Sequence, residues 1–288
     1  MIMKLAAQDQ PPPTPPPQPP APIEPTPVIP KPVVQLPPPQ PPAPPSTYDY
    51  DTGGDNWSIA PFDWITKSAP IIRQGHANTD IDPGDLGFPG RSKEGYGFEI
   101  TVPTGHENSV DFRYFQVKGQ GNSVLGESEA FFGTLYAVGD VLASNWYAQS
   151  IKLSWNYLTY PYPSNHEKFR LKTLWELQYD RVGSSFNAPA DVNAAPVVGV
   201  KSIIFPTFGI GIEYHPAKHL RLELKASGFA VPHHGDIYDG EANIVIPGRH
   251  FEVALGGKVY HYKTSPQADQ YLAQTLFGPY LELRLKTR

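Results

Sequence analysis

The chain has 288 residues, a net charge of −5 and no cysteine, which excludes a disulfide framework and a thiolate metal site. With a pI near 6.0 and no segment that gathers the basic residues, nucleic acid is not an expected partner. Aromatic residues make up 12% of the chain, a share that suits strands and lipid interfaces.

The first ten residues read MIMKLAAQDQ. They lack the basic start and the apolar stretch of a signal peptide, yet "LAA" before "QDQ" looks like the end of one. A truncated or misassigned start is expected, with the signal peptide missing. Residues 11–45 then hold 20 of the 35 prolines. Such a segment has too few apolar side chains and backbone donors to pack. A disordered, Pro-rich arm over 1–46 is expected, running as polyproline II on the periplasmic side. Its proline tract, 11–45, reads as a spacer, or a tether towards the cell wall, because Lys31 is the only cation in that tract.

The remainder, 47–288, is expected to form one domain. No apolar run reaches about 18 residues, so no transmembrane helix is expected. The pattern is instead strand, gap, strand, with at most a turn of helix at 266–273. Ten strands are expected: 56–65, 94–103, 109–118, 145–159, 167–181, 202–215, 219–231, 236–246, 249–263 and 274–287. The first is interrupted by Pro61 and Asp63. The third loses its alternation after Tyr114, which predicts a bulge.

Residues 169–180, FRLKTLWELQYD, show the recurring pattern. Phe169, Leu171, Trp175, Leu177 and Tyr179 share one face, and Arg170, Lys172, Glu176, Gln178 and Asp180 the other. In a soluble barrel the greasy face is the core; in a membrane barrel it meets lipid. The connections favour the membrane. "TGHEN", "YPYPSNHE", "HPAKH" and "PG" are tight turns, whereas the alternate gaps are mostly long, 66–93, 119–144, 182–201 and 264–273. Short turns at one end and long loops at the other mark outer-membrane barrels. A strand of about 13 residues rises roughly 33 Å after tilting, more than the apolar band of about 25 Å.

On these features residues 56–288 resemble a single-chain bacterial outer-membrane β-barrel, without pointing to a subfamily. The C-terminal strand carries Gly278, Leu281 and Leu283 in the Gly-x-x-apolar-x-apolar spacing that, in this family, signals to the barrel-insertion machinery. It departs from the family pattern at Leu276, where a polar residue is usual, and at Arg288, where an aromatic is. The resemblance implies an all-β, antiparallel up-and-down transmembrane β-barrel of about ten strands, in contact with outer-membrane lipid.

If the charged faces look inward, the lumen gathers nine cations and nine carboxylates. The cations are Arg113, Lys152, Arg170, Lys172, Arg221, Lys225, Lys258, Arg284 and Lys286; the carboxylates are Glu99, Asp111, Glu176, Asp180, Glu223, Asp239, Glu241, Glu252 and Glu282. Unpaired charges in a narrow barrel are costly, so an ion network is expected to fill it, whereas a strongly selective pore would show one sign in excess. The expected function is therefore non-enzymatic, a structural barrel or a narrow, porin-like pore, with no cofactor and no metal site. The alternatives are an outer-membrane protease or lipid-modifying enzyme with its site at the 232–241 rim, "PHHGDIYDGE", and a soluble ligand-binding barrel. At that rim His233, His234, Asp236 and Asp239 are the candidate catalytic groups, since a His beside a carboxylate suffices for base catalysis.

Overall fold

The computed structural model describes residues 56–67, 71–74, 86–87, 95–131, 134–161, 168–188, 196–232, 234–265 and 270–287. The Pro-rich arm lies outside them. The strands are β1 (Ser58–Trp64), β2 (Ile71–Gln74), β3 (Leu86–Gly87), β4 (Gly95–Gly105), β5 (Asn108–Val124), β6 (Glu129–Phe131), β7 (Thr134–Tyr136), β8 (Val141–Tyr160), β9 (Phe169–Asn187), β10 (Val197–Ala217), β11 (Leu220–Val231), β12 (Gly235–Pro247), β13 (Phe251–Lys263) and β14 (Gln270–Lys286).

Ten of them, β1, β4, β5 and β8 to β14, pair in sequence order, all antiparallel. The ring closes where β1 meets β14, with Ser58 opposite Lys286 and Trp64 opposite Tyr280. Beyond Trp64 the chain stays beside β14 through Ile65 N–H to Pro279 O at 3.0 Å and Lys67 N–H to Phe277 O at 2.8 Å. β2 then pairs with Gln270–Ala273, and β3 pairs with β2. β6 and β7 form a separate hairpin. The expected helical turn at 266–273 is not formed over 270–273, which belong to β14; its bonding to β2 and β13 satisfies the backbone there.

Near the tight turns every barrel strand turns its apolar face outward. Leu153, Trp155, Trp175, Leu177, Phe208, Ile210, Leu222, Leu224, Ile244, Leu255, Leu281 and Leu283 are exposed large apolar side chains. The charged residues alternating with them are buried inside. Exposed leucines around a closed ring leave lipid as the surrounding solvent. Placing arginine at Leu222 is expected to cost about 2–4 kcal/mol if it lies near the midplane, read from urea unfolding of the barrel reconstituted in vesicles. No loss relative to Leu222→Ala would place the strand outside hydrocarbon.

Towards the long loops the polarity reverses on β5, β8, β9, β13 and β14, while β10 keeps Val198, Val200 and Ile204 outward. Phe115 and Val117 of β5, Trp146 and Ala148 of β8, Val182 and Phe186 of β9, Tyr260 and Tyr262 of β13 and Leu276 of β14 point inward and form one buried cluster. Outward between them stand Lys118, Asn145, Gln149, Arg181 and Thr275. The bulge expected after Tyr114 is therefore absent. β5 keeps an unbroken register with β8 from Ser109↔Asn156 to Val124↔Val141. Alternation continues, but its sense inverts, as it must where a strand leaves lipid and its interior becomes an ordinary apolar core. Asp63 in β1 has the same origin: it faces out between the buried Phe62 and Trp64.

Candidate functional site

The lumen is filled in two tiers. In the tier nearest the tight turns, Arg170 pairs with Glu107 at 2.9 Å and Lys172 with Glu213 at 2.6 Å. Arg221 bridges Glu223 at 2.6 Å and Glu252 at 2.7 Å. Arg284 reaches Glu223 through both terminal nitrogens, each at 2.9 Å, and also contacts Glu282. Lys286 joins Glu252 at 2.5 Å.

Further in, Arg113 joins Glu99 at 2.5 Å and Glu241 at 2.9 Å. Lys152 holds Asp239 at 2.8 Å and Glu176 at 3.4 Å. Lys258 holds Asp239 at 2.7 Å and Glu241 at 3.6 Å. Lys225 is looser, 3.7 Å from Glu99 and 3.8 Å from Asp111. Asp111 also accepts hydrogen bonds from Ser109, at 3.0 Å, and Asn156, at 2.5 Å. Asp180 lies nearer the loops, where Gln178 bridges Ser150 and Asp180 at 3.0 and 3.3 Å. Each strand contributes every second residue; Glu99–Arg113 and Glu241–Lys258 join neighbouring strands, whereas Arg113–Glu241, Lys152–Asp239 and Arg284–Glu223 span the lumen between non-adjacent ones.

The second tier is the aromatic and aliphatic cluster. Trp64 meets Phe115 edge-on at 5.7 Å, and Phe115 meets Tyr260 edge-on at 5.1 Å. The tiers join through cations on ring faces. Lys258 Nζ lies 5.8 Å from the Trp64 centroid and 5.6 Å from that of Phe115, and the Arg113 guanidinium lies 5.7 Å from that of Phe62. Between the ionic residues remain cavities of about 40, 20 and 10 Å³. Those are spaces for single waters or small groups of them.

Two carboxylates of this network were missed in the sequence. Glu107 lies within the "TGHEN" turn, where Gly105, His106 and Glu107 all have positive φ (90°, 53° and 60°). That left-handed run folds Glu107 back under Arg170. Glu213 follows Gly209 and Gly211 on the inward row of β10, and two glycines hide the alternation that would announce it.

The rim candidates do not converge. His233 lies outside the described residues. His234 is exposed in the turn, where its N–H bonds Val231 O at 3.0 Å. Asp239 points into the lumen onto Lys152 and Lys258, while Asp236, at odds with it in parity, faces the outer wall. What Asp236 meets is His261, which sequence reasoning passed over, with Nε2 3.0 Å from Oδ1. Among the described residues no group of three or more His, Asp or Glu is arranged to hold a metal ion. Of the insertion-signal residues, Leu281 and Leu283 are exposed on the outer wall. Gly278 has a steric role of its own: a Cβ there would lie 1.9 Å from Ile65 O, at the closing seam.

A closed antiparallel ring of ten strands with an apolar outer band and a charged interior is a transmembrane β-barrel of the bacterial outer-membrane type. One solved structure supports that fold. No protein-family model matches the sequence, and no curated protein does. Among solved structures the chain is similar to the outer-membrane protease OmpT from Escherichia coli, with a TM-score of 0.52 and 11% identity over 84% of this chain and 99% of that one. It is also similar to Ail, the attachment invasion locus protein of Yersinia pestis, at a TM-score of 0.36 and 7% identity over 79% of this chain and 98% of that one. The transport unit of the autotransporter AIDA-I from E. coli aligns at a TM-score of 0.40 and 6% identity over 83% of this chain and 93% of that one.

Proposed function

We propose that the protein is a sealed barrel of the outer membrane whose interior neither conducts solute nor performs chemistry, and whose outer wall and loops carry its role. The observation behind this is the two-tier filling: an ion-paired lumen capped by the Trp64–Phe115–Tyr260 cluster. A conducting filter needs a continuous wet path with groups free to exchange partners with the ion. Here the charged groups hold one another, and replacing those contacts by ion contacts would strand buried charges. The similarity to an outer-membrane protease reaches the fold alone.

Planar-bilayer recording tests this directly. The reconstituted barrel is expected to give no stable conductance steps in molar potassium chloride. Large, stable and strongly ion-selective currents would overturn the sealed reading.

A further inference from the structure

On the outer wall, at the edge of the apolar band, three side chains from three adjacent strands stand in line. Thr275 of β14 lies opposite His261 of β13, which lies opposite Tyr238 of β12. His261 Nδ1 is 2.7 Å from Thr275 Oγ1, and His261 Nε2 is 3.0 Å from Asp236 Oδ1. The Nε2–Oδ1 contact is at ion-pair distance but is not aligned as a hydrogen bond, so what Asp236 supplies is a negative charge beside Nε2, which favours a proton there. Nδ1 is then the acceptor for the threonine hydroxyl, the condition for a general base acting on a nucleophile.

The surroundings define what could approach. Phe277 on β14 and Val259 on β13, each one step down the same outward rows, are exposed and apolar, as is Tyr238 beside the imidazole. In the other direction Lys263 stands opposite Asp236, with its Nζ 5.0 Å from the Tyr271 ring centroid. Acyl chains have an apolar wall on one side of the hydroxyl, and a phosphate has a cation on the other.

We propose that Asp236, His261 and Thr275 form an ester-hydrolysing site for a glycerophospholipid, entered from the membrane rather than from the lumen. Thr275 Oγ attacks the ester carbonyl carbon as His261 Nδ1 takes the hydroxyl proton. The tetrahedral intermediate collapses, the single bond from the acyl carbon to the glycerol oxygen breaks, and the same proton passes to that departing oxygen. Water, deprotonated by His261, then attacks the acyl-threonine ester, releasing a fatty acid and restoring the hydroxyl. Asp236 touches no reacting atom; it is a positioning residue that acts through its charge beside Nε2. The proposal concerns the outer wall and stands or falls separately from the sealing of the lumen.

The test uses the purified full chain in mixed micelles of dioleoyl phosphatidylethanolamine, with released oleate measured. Release above a protein-free blank is expected. Thr275→Ala is expected to abolish it, Thr275→Ser to retain it, and His261→Ala to lower the rate by about 10²–10⁴-fold. Asp236→Asn should lower kcat more than KM, as loss of a tautomer would. Each variant is first checked for the heat-dependent gel shift of a folded barrel. A long-chain p-nitrophenyl ester, quenched in acid, should leave an acyl mass on the peptide containing Thr275. Absence of release by the native barrel, or release unchanged in Thr275→Ala, overturns the proposal.

Discussion

Arg113→Met is expected to destabilise the barrel by about 3–5 kcal/mol, because it strands buried carboxylates rather than merely deleting a contact. Arg113 lies 2.5 Å from Glu99 and 2.9 Å from Glu241, with Glu282 at 3.9 Å, and all four side chains are almost wholly buried. Methionine fills much of the volume but leaves the acids facing one another. Urea unfolding in detergent micelles, followed by the gel shift, measures the loss. Adding Glu241→Gln removes one stranded charge and is expected to recover part of it, since residues sharing a network do not add. The control is Lys225→Met, whose ion contacts are longer, 3.7 and 3.8 Å, and whose side chain is 27% exposed. If Arg113→Met costs no more than Lys225→Met, the lumen charges are effectively solvated and the network does not hold the barrel.

On β5, β8 and β9 the half nearest the tight turns was legible in the sequence and the half nearest the loops was not, whereas β11, β12 and β13 were bounded to within two residues. A period of two with leucine on one side and charge on the other reads correctly as outward and inward for Leu171–Lys172 or Leu222–Glu223 once the turns have chosen the membrane. Carried upward with the same sense, that pattern fails at Phe115–Gln116–Val117 and at Asn145–Trp146. So the third expected strand stopped at 118, the fourth began only at 145, the fifth stopped at 181 and the sixth began at 202. β5 in fact runs to Val124, β8 starts at Val141, β9 runs to Asn187 and β10 starts at Val197. The boundaries on β5, β8 and β9 fall where polarity inverts, not where strands end; on β10 the outward row stays apolar through Val198 and Val200. Much of the apparent loop length was strand outside the lipid. Both ways of placing a greasy strand face are used in one strand, at different heights.

His261 was hidden for a different reason. Its partners are Thr275, 14 residues on, and Asp236, 25 residues back, and only the pairing of three strands brings them together. Glu107 and Glu213 show the same limit, since a turn with three left-handed residues and a row with two glycines carry no period to read.

Trp64→Ala and Phe115→Ala are each expected to cost about 3–5 kcal/mol, the range for emptying a well-packed aromatic site. Trp64 is wholly buried and Phe115 nearly so, packed edge-on to each other. Both rings also face the Lys258 ammonium, so each truncation removes a cation–π contact from the boundary between the tiers. Because the two rings touch, the double variant should lose less than the sum of the singles. Trp175→Ala supplies the comparison: its ring is about half exposed on the outer wall, packed against Phe208 at 5.3 Å, and truncation there exchanges ring for lipid or detergent without opening a cavity. A membrane barrel held only by its lipid-facing band would rank the three tryptophan and phenylalanine losses alike. A barrel with a soluble-type core above the membrane ranks Trp64 and Phe115 well above Trp175. Unfolding midpoints of the three variants in one detergent decide between the two, and equal midpoints would remove the capping core from the account of what holds this fold.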